Sequence, residues 1–356
     1  MKNITTYSPA KSFLLQLGFL LFIGLLPAVT HSQNYRTIDA YMDDFGKNEM
    51  FIKKAMMDYT ITIVESQLDT RSKTTAARII EKLNNINNLL KKTDKGFEGN
   101  TALRDSFIKM NDMTIKSLSN GSLILNDYDY QSNLSLVEIG ENLNRKEAEM
   151  MAYYKGLQEY EHDKRMFGRS FKLHFKKPVG KNILEYNAIQ NILFYKLNVM
   201  DEKLTKVIAA MDRKGFADCM NMIALMHQDI MSKTTSYNNY FKDNSLNNAN
   251  IEYANLINNQ STQLGKLFYD YAIAYENLQA LKKSEAAEAP ETQQSIAVYN
   301  ETVREYNAKK NLFYAVFNDI QKTKDMMYDR WLTVNATFLK NNGEFENLHG
   351  QYAYND

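Results

Sequence analysis

The chain has 356 residues and a nearly balanced charge, 43 Lys and Arg against 42 Asp and Glu. With only 14 Gly and 4 Pro, well under the usual ~12% share, it lacks the turn formers that hairpins and barrel corners need, which excludes all-β, collagen-like and Pro-rich classes. The balance also excludes the basic excess of a nucleic-acid binder, while 44% hydrophobic and 12% aromatic residues suffice for a sizeable core.

Residues 1–32 read as a secretory signal to be removed. Lys2 and Lys11 precede the apolar run Phe13–Val29, broken by Gly18, Gly24 and Pro27, and Thr30-His31-Ser32 offers small residues for cleavage before Gln33. The competing reading is an N-terminal membrane anchor. No Cys follows the run, which disfavours a lipid anchor, and no later stretch is long and apolar enough to span, so no transmembrane helix is expected after signal removal. Cys219 is the only cysteine, so no internal disulfide forms.

After the signal, helical periodicity fills the chain. Ile52, Met56, Tyr59 and Ile63 mark one helix, Ile79, Leu83, Ile86 and Leu90 a second, and Leu103, Phe107, Met110 and Leu118 a third. Leu136, Leu143, Met150 and Leu157 carry a fourth, running towards Arg165. A similar order follows: Ile189, Leu193, Met200, Leu204, Val207 and Met211; then Cys219, Ile223, Met226 and Ile230; then Ile257, Leu264, Phe268, Tyr271, Tyr275 and Leu278. The last stripe runs from Tyr299 through Phe313, Ile320, Met327 and Trp331 to Phe338, about 60 Å of helix.

The expected fold class is therefore all-α: an elongated antiparallel helical bundle with coiled-coil character, built from two four-helix units related by internal duplication. The expected divisions are 33–165 for the first bundle, 166–182 for a basic linker, 183–342 for the second bundle and 343–356 for a tail. Cys219 on its stripe reads as buried and inert. The Tyr residues are expected to place hydroxyls at the bundle edge, and the Asn doublets, Asn84-Asn85, Asn87-Asn88, Asn247-Asn248 and Asn258-Asn259, to line a solvated face.

Catalytic signatures such as GxSxG, HExxH and the phosphate-binding glycine loops are absent from the sequence, and no enzyme activity and no cofactor is expected. Three constellations carry some chemistry. Glu159 with His162, and Glu346 with His349, have the i,i+3 spacing of helix-borne metal ligands. Asp127, Asp129 and Glu138 fall at positions 1, 3 and 12 of a calcium-loop outline, but Ser132 stands where the loop wants Gly; Ser135 capping the next helix, with Glu138 as its capping-box partner, is the simpler account. The third is Lys164–Lys181, with Lys164, Arg165, Arg169, Lys172, His174, Lys176, Lys177 and Lys181 and no acid. There Phe171, Leu173 and Phe175 alternate with Lys172, His174 and Lys176, an extended pattern. It reads either as an anion-binding patch, centred on Arg169, Lys172, His174, Lys176 and Lys177, or as a solvated linker whose Phe residues dock on the core.

With its signal peptide, Tyr/Asn-rich helices such as Tyr186-Asn187 and Tyr299-Asn300 and repeated helix order, the chain resembles uncharacterised, exported all-helical surface proteins of bacteria. The expectation is an exported, non-enzymatic protein of the cell envelope or surface, secreted or periplasmic. Its role would be binding or structural, with an anionic polysaccharide, lipid head group or acidic protein as partner. The alternative is a periplasmic metal-binding helical bundle using Glu159 and His162.

Overall fold

Residues 183–200 (ILEYNAIQNILFYKLNVM) show no continuous polar face, and a helix apolar on all sides must lie inside the fold. The computed structural model describes residues 35–65, 71–119, 128–175, 183–236, 243–285 and 292–342. Among them are α1 (Ile38–Glu65), α2 (Arg71–Thr93), α3 (Ala102–Ser119), the short α4 (Tyr128–Asn133), α5 (Leu136–Ser170), α6 (Ile183–Ala209), α7 (Arg213–Ser236), α8 (Ser245–Glu285) and α9 (Gln293–Asn342). The fold is all-α: no strand occurs among the described residues, only an isolated bridge between Phe97 and Asn100.

Helix α6 is the axis. From Tyr186 to Met200 every residue is buried, and α6 packs on α1, α4 and α5 as well as on α7, α8 and α9. One continuous hydrophobic core runs from Tyr41 in α1 to Phe338 in α9. On one side α1, α2, α3 and α5 stack their predicted stripes: Ile52, Met56, Ile79, Leu83, Leu103, Phe107, Leu143 and Met150 are all buried. On the other, α8 and α9 form a long pair. Asn250 meets Trp331, Gln260 meets Lys324, and Tyr275 meets Tyr306, so positions rise on one helix as they fall on its partner and the two run in opposite directions. Their seams repeat every seven residues, as in a left-handed coiled coil: Tyr253, Gln260, Leu267 and Ala274 on α8, and Tyr306, Phe313, Ile320 and Met327 on α9.

A helix buried all round must satisfy its own polar side chains, because an unmatched buried amide costs about 1–3 kcal/mol. Asn187 Nδ2 donates to Asn335 Oδ1 at 2.6 Å, and Asn191 donates to Asn187 Oδ1 at 2.9 Å. Gln190 donates to Asn247 Oδ1 at 3.1 Å and accepts from Asn250, whose own Oδ1 accepts from Trp331 Nε1 at 3.0 Å. Trp331 stacks on Phe194 with 4.2 Å between centroids. The expectation of a purely solvated Asn face thus fails at Asn87 and Asn247, both buried. Asn87 accepts from Asn111 at 2.8 Å and donates to Asp112 at 2.7 Å, joining α2 to α3. Tyr hydroxyls also sit inside, not only at edges: Tyr253 donates to Asn198 Oδ1 at 2.9 Å and Tyr154 to the Leu184 carbonyl at 3.0 Å.

Buried lysines are matched as strictly. Glu49 and Lys53 of α1 and Glu161 and Lys164 of α5 form a closed ring: Lys53 bonds Glu49 and reaches Glu161 at 3.0 Å, while Lys164 reaches Glu49 at 2.7 Å and Glu161 at 2.9 Å. Burial opposes charge on all four, yet the facing carboxylates outweigh it and hold both lysines above their ordinary pKa. A second ring joins α5, α6 and α7: Lys196 bonds Glu147, and Lys233 reaches Glu147 at 2.5 Å and Asp229 at 2.7 Å. Lys324 of α9 reaches Asp201 of α6 at 2.7 Å. At the end of α1, Tyr328 of α9 donates to the Val64 carbonyl at 2.7 Å. Cys219 is buried, as expected, and burial pushes its thiol up to about 11.

Two predictions follow from these matched groups. Lys164→Met leaves the Glu49 carboxylate short of a partner and is expected to cost about 3–5 kcal/mol in denaturant unfolding, most of it recovered in Glu49→Leu/Lys164→Met. Glu149 of α5 is half-buried with Oε1 lacking a hydrogen-bond partner among the described residues. Burial raises its pKa to about 7 against the opposing Lys146 and Arg145 charges. The folded state then holds a proton that the unfolded chain releases above the ordinary carboxyl value of 4.5, so stability is greatest below that pH and falls as pH rises to about 7. Glu149→Gln should flatten that decline and, after solvent screening, gain about 1 kcal/mol at pH 8 but little at pH 4.

Candidate functional site

The basic segment begins inside α5, which stays helical to Ser170, five residues past Arg165. Lys164 leaves the expected patch, because its ammonium is spent in the buried ring with Glu49 and Glu161. The helix then closes in a Schellman turn: the Leu173 N–H donates to the Gly168 carbonyl at 2.9 Å and the Lys172 N–H to the Arg169 carbonyl at 3.0 Å. Lys172 takes the left-handed position at φ 65°, where Gly is the usual residue. The ring of Phe175 folds back over Gly168, where a Cβ would lie 2.2 Å from Phe175 Cζ. Phe171 packs against Phe167 at 5.0 Å and Phe97 at 5.1 Å. The expected alternation therefore holds over Phe171–Phe175: Phe171, Leu173 and Phe175 pack on the core while Lys172 and His174 are exposed. The docked-linker reading is correct for these aromatic residues. Arg169 is exposed beside them, and its guanidinium lies 3.9 Å from Met166 Sδ. Lys176, Lys177 and Lys181 lie outside the described residues.

The Phe97 contact brings a second basic stretch to this end of the fold, one that the sequence pattern did not connect to it. Lys91, Lys92 and Lys95 are exposed in and after the last turn of α2, where cations also complement the helix dipole. The following loop is tightly specified. Asp94 Oδ1 accepts from the Gly96 N–H at 2.6 Å, and the Asn100 N–H donates to the Phe97 carbonyl at 2.9 Å across Glu98 and Gly99, both at positive φ. Tyr41 also donates to Asp94 at 3.1 Å, and Arg104 to the Asp94 carbonyl at 2.6 Å. The end is thus mixed in charge, with Asp94 turned into the loop and the bases outward. A signal for the pairing existed in Phe97, an isolated aromatic in a polar loop, which needs a partner to bury against.

The remaining constellations resolve differently. Ser135 caps α5 as expected: its hydroxyl accepts from the Glu138 N–H at 3.3 Å while Glu138 Oε2 accepts from the Ser135 N–H at 2.9 Å. Asp127 lies outside the described residues, and Asp129 binds Lys206 at 2.6 Å. Residues 128–133 form the short helix α4. Glu159 is paired with Lys109 at 3.2 Å, and His162 is exposed. No cluster of three or more His, Cys, Asp or Glu suited to a metal occurs among the described residues. Glu346, His349, residues 1–34 and residues 286–291 lie outside them. No described helix is long and apolar enough to cross a membrane. No protein-family model, curated protein or solved structure matches this chain.

The loop makes a sharp test of the second basic stretch. At Gly96, φ is 81° and a Cβ would lie 2.3 Å from the Asn100 carbonyl oxygen, whereas at Gly99, also at 81°, nothing lies within 4 Å. Gly96→Ala is expected to cost about 3 kcal/mol in chemical unfolding, and Gly99→Ala only about 1 kcal/mol, the backbone strain alone.

Proposed function

We propose that the chain is an exported, non-enzymatic helical protein of the bacterial cell envelope or surface that binds an anionic partner through the end of α5. The observation that carries this reading is the outward cluster of Arg169, Lys172 and His174, with no carboxylate partner among the described residues, set beside Lys91, Lys92 and Lys95 by the Phe97–Phe171 contact. The buried Lys53, Lys164, Lys196 and Lys324 are each matched by an acid; here the bases face solvent together, open to an incoming group. Flexible lysines on a rigid aromatic base suit repeated, loosely patterned anions, such as an acidic polysaccharide, lipid head groups or an acidic protein face, more than a single small ligand. The secretory pattern of residues 1–32 supports export, and the long α8–α9 pair supports a structural role alongside binding.

Retention on a sulfated-polysaccharide matrix and on phosphatidylglycerol vesicles tests the reading. Arg169→Glu/Lys172→Glu should elute at distinctly lower salt with unchanged helicity. Lys172→Gly separates charge from folding: it removes a base but relieves the left-handed strain, so it should bind more weakly while gaining about 1 kcal/mol in stability. Equal retention of all three proteins on both matrices would overturn the proposal.

A further inference from the structure

A groove of about 520 Å³ runs along the outer face of α3. It begins beside Lys91 of α2, one of the bases at the end described above, and follows Asp105, Lys109, Asp112 and Lys116 over a floor of Ile108 and Met113. The four charged residues of α3 alternate acid and base at spacings of four, three and four, which keeps them on one helix face. Such a stripe commonly cancels its charges within the helix. Here it does not. Lys109 reaches across to Glu159 of α5 at 3.2 Å, Asp105 is held by Arg104 at 2.7 Å and by the Thr101 hydroxyl at 2.8 Å, and Asp112 accepts from Asn87 at 2.7 Å. Lys91 and Lys116 are exposed and form no hydrogen bond or ion pair among the described residues.

The groove therefore has a period. Like charges recur every seven residues, about 10 Å along the helix, with an acceptor between successive donors and apolar side chains beneath. A densely charged anion would meet Asp105 and Asp112 as repulsion. A chain of sugar rings with an acid group on alternate units instead offers hydroxyls to those carboxylates, its acid groups to the lysines and its C–H faces to Ile108 and Met113. A lipid bilayer is flat and cannot follow the bases from the end of the fold round onto its side. We infer that a linear acidic polysaccharide lies along this groove, entering at Lys91 from the end that carries Arg169, Lys172 and His174. The inference rests on the anion-binding reading and gives that reading one partner and a direction. Lys109 faces Glu159, ten residues before Arg169, and Lys116 lies seven residues further the other way on the antiparallel α3, so the track is about 25 Å long.

The full chain is titrated with a uronic-acid polysaccharide, with its disaccharide and decasaccharide fragments, and with phosphatidylglycerol vesicles. The decasaccharide should bind more tightly than the disaccharide at equal concentration of acid groups. Lys116→Glu should weaken the decasaccharide about fivefold, the weight of one exposed ion pair, with vesicle binding and melting temperature unchanged, and Lys116→Arg should keep the original affinity. Arg169→Glu/Lys172→Glu should weaken polysaccharide and vesicles alike. Equal affinity for the two fragments, or a Lys116→Glu variant that matches the unaltered chain on the decasaccharide or weakens vesicle binding just as much, would overturn the groove and leave the end site standing. A chain that retains no anion at all would overturn both.

Discussion

Burial of α6 on every side is the constraint on which the rest depends. A helix with a solvent face can turn a few degrees about its axis and keep its polar groups wet. Helix α6 cannot, because Asn187, Gln190, Asn191, Lys196 and Asn198 all point into protein, and each needs a donor or acceptor at hydrogen-bond distance. Those partners come from α5, α8 and α9, so a rotation or slip of any one helix would strip several bonds at once. Hydrophobic stripes bring helices together but tolerate sliding; the amide ladder from Asn187 to Asn198 selects one register among the many that the stripes allow.

The ionic rings serve the same end with stronger stakes. Each pairs two lysines with two acids, so the charge inside is balanced and every group is held by more than one partner. A buried ion pair is weak evidence for net stability, since desolvation offsets much of its Coulomb attraction. What the arrangement does secure is mutual position: α1 on α5 through Glu49 and Lys164, and α5 on α6 and α7 through Glu147. The half-buried Glu149 is held by neither ring, and burial raises its pKa by penalising its charge.

The apolar core was legible in the sequence almost residue by residue. The described positions of the stripes from Ile52 to Phe338 face the core where the 3.6 periodicity puts them, most of them buried and some, such as Ile86, Tyr306, Phe317 and Met327, half-buried against it, and the capping box at Ser135 and Glu138 was readable from spacing alone. The polar interior was not. Asn87 and Asn88 look alike in sequence, yet one is buried against Asn111 and the other is exposed; only the partner's position decides. Lys164 shows the same limit on the candidate site. In sequence it belongs to an unbroken basic run, but it lies on the inner face of α5, and beside the local Glu161 it is held by Glu49, 115 residues earlier, in α1. Local charge counts cannot see such a partner, nor could they see that Phe97 would bring Lys95 to the same end of the fold as Lys172.

The hydrogen bond from Tyr328 to the Val64 carbonyl spans 264 positions of chain. Closing a loop of that length costs on the order of 5 kcal/mol in chain entropy, far more than one hydrogen bond returns. Such a contact forms only after α6 has gathered its neighbours and shortened the effective distance. Helices that pack on their sequence neighbours, as α2 does on α3 and α8 on α9, can form early, whereas seating the α8–α9 pair against α1 must come late. The separations therefore divide the contacts of the fold into local ones, within α2–α3 and α8–α9, and a closure between α1 and α9 that depends on every helix packed between them.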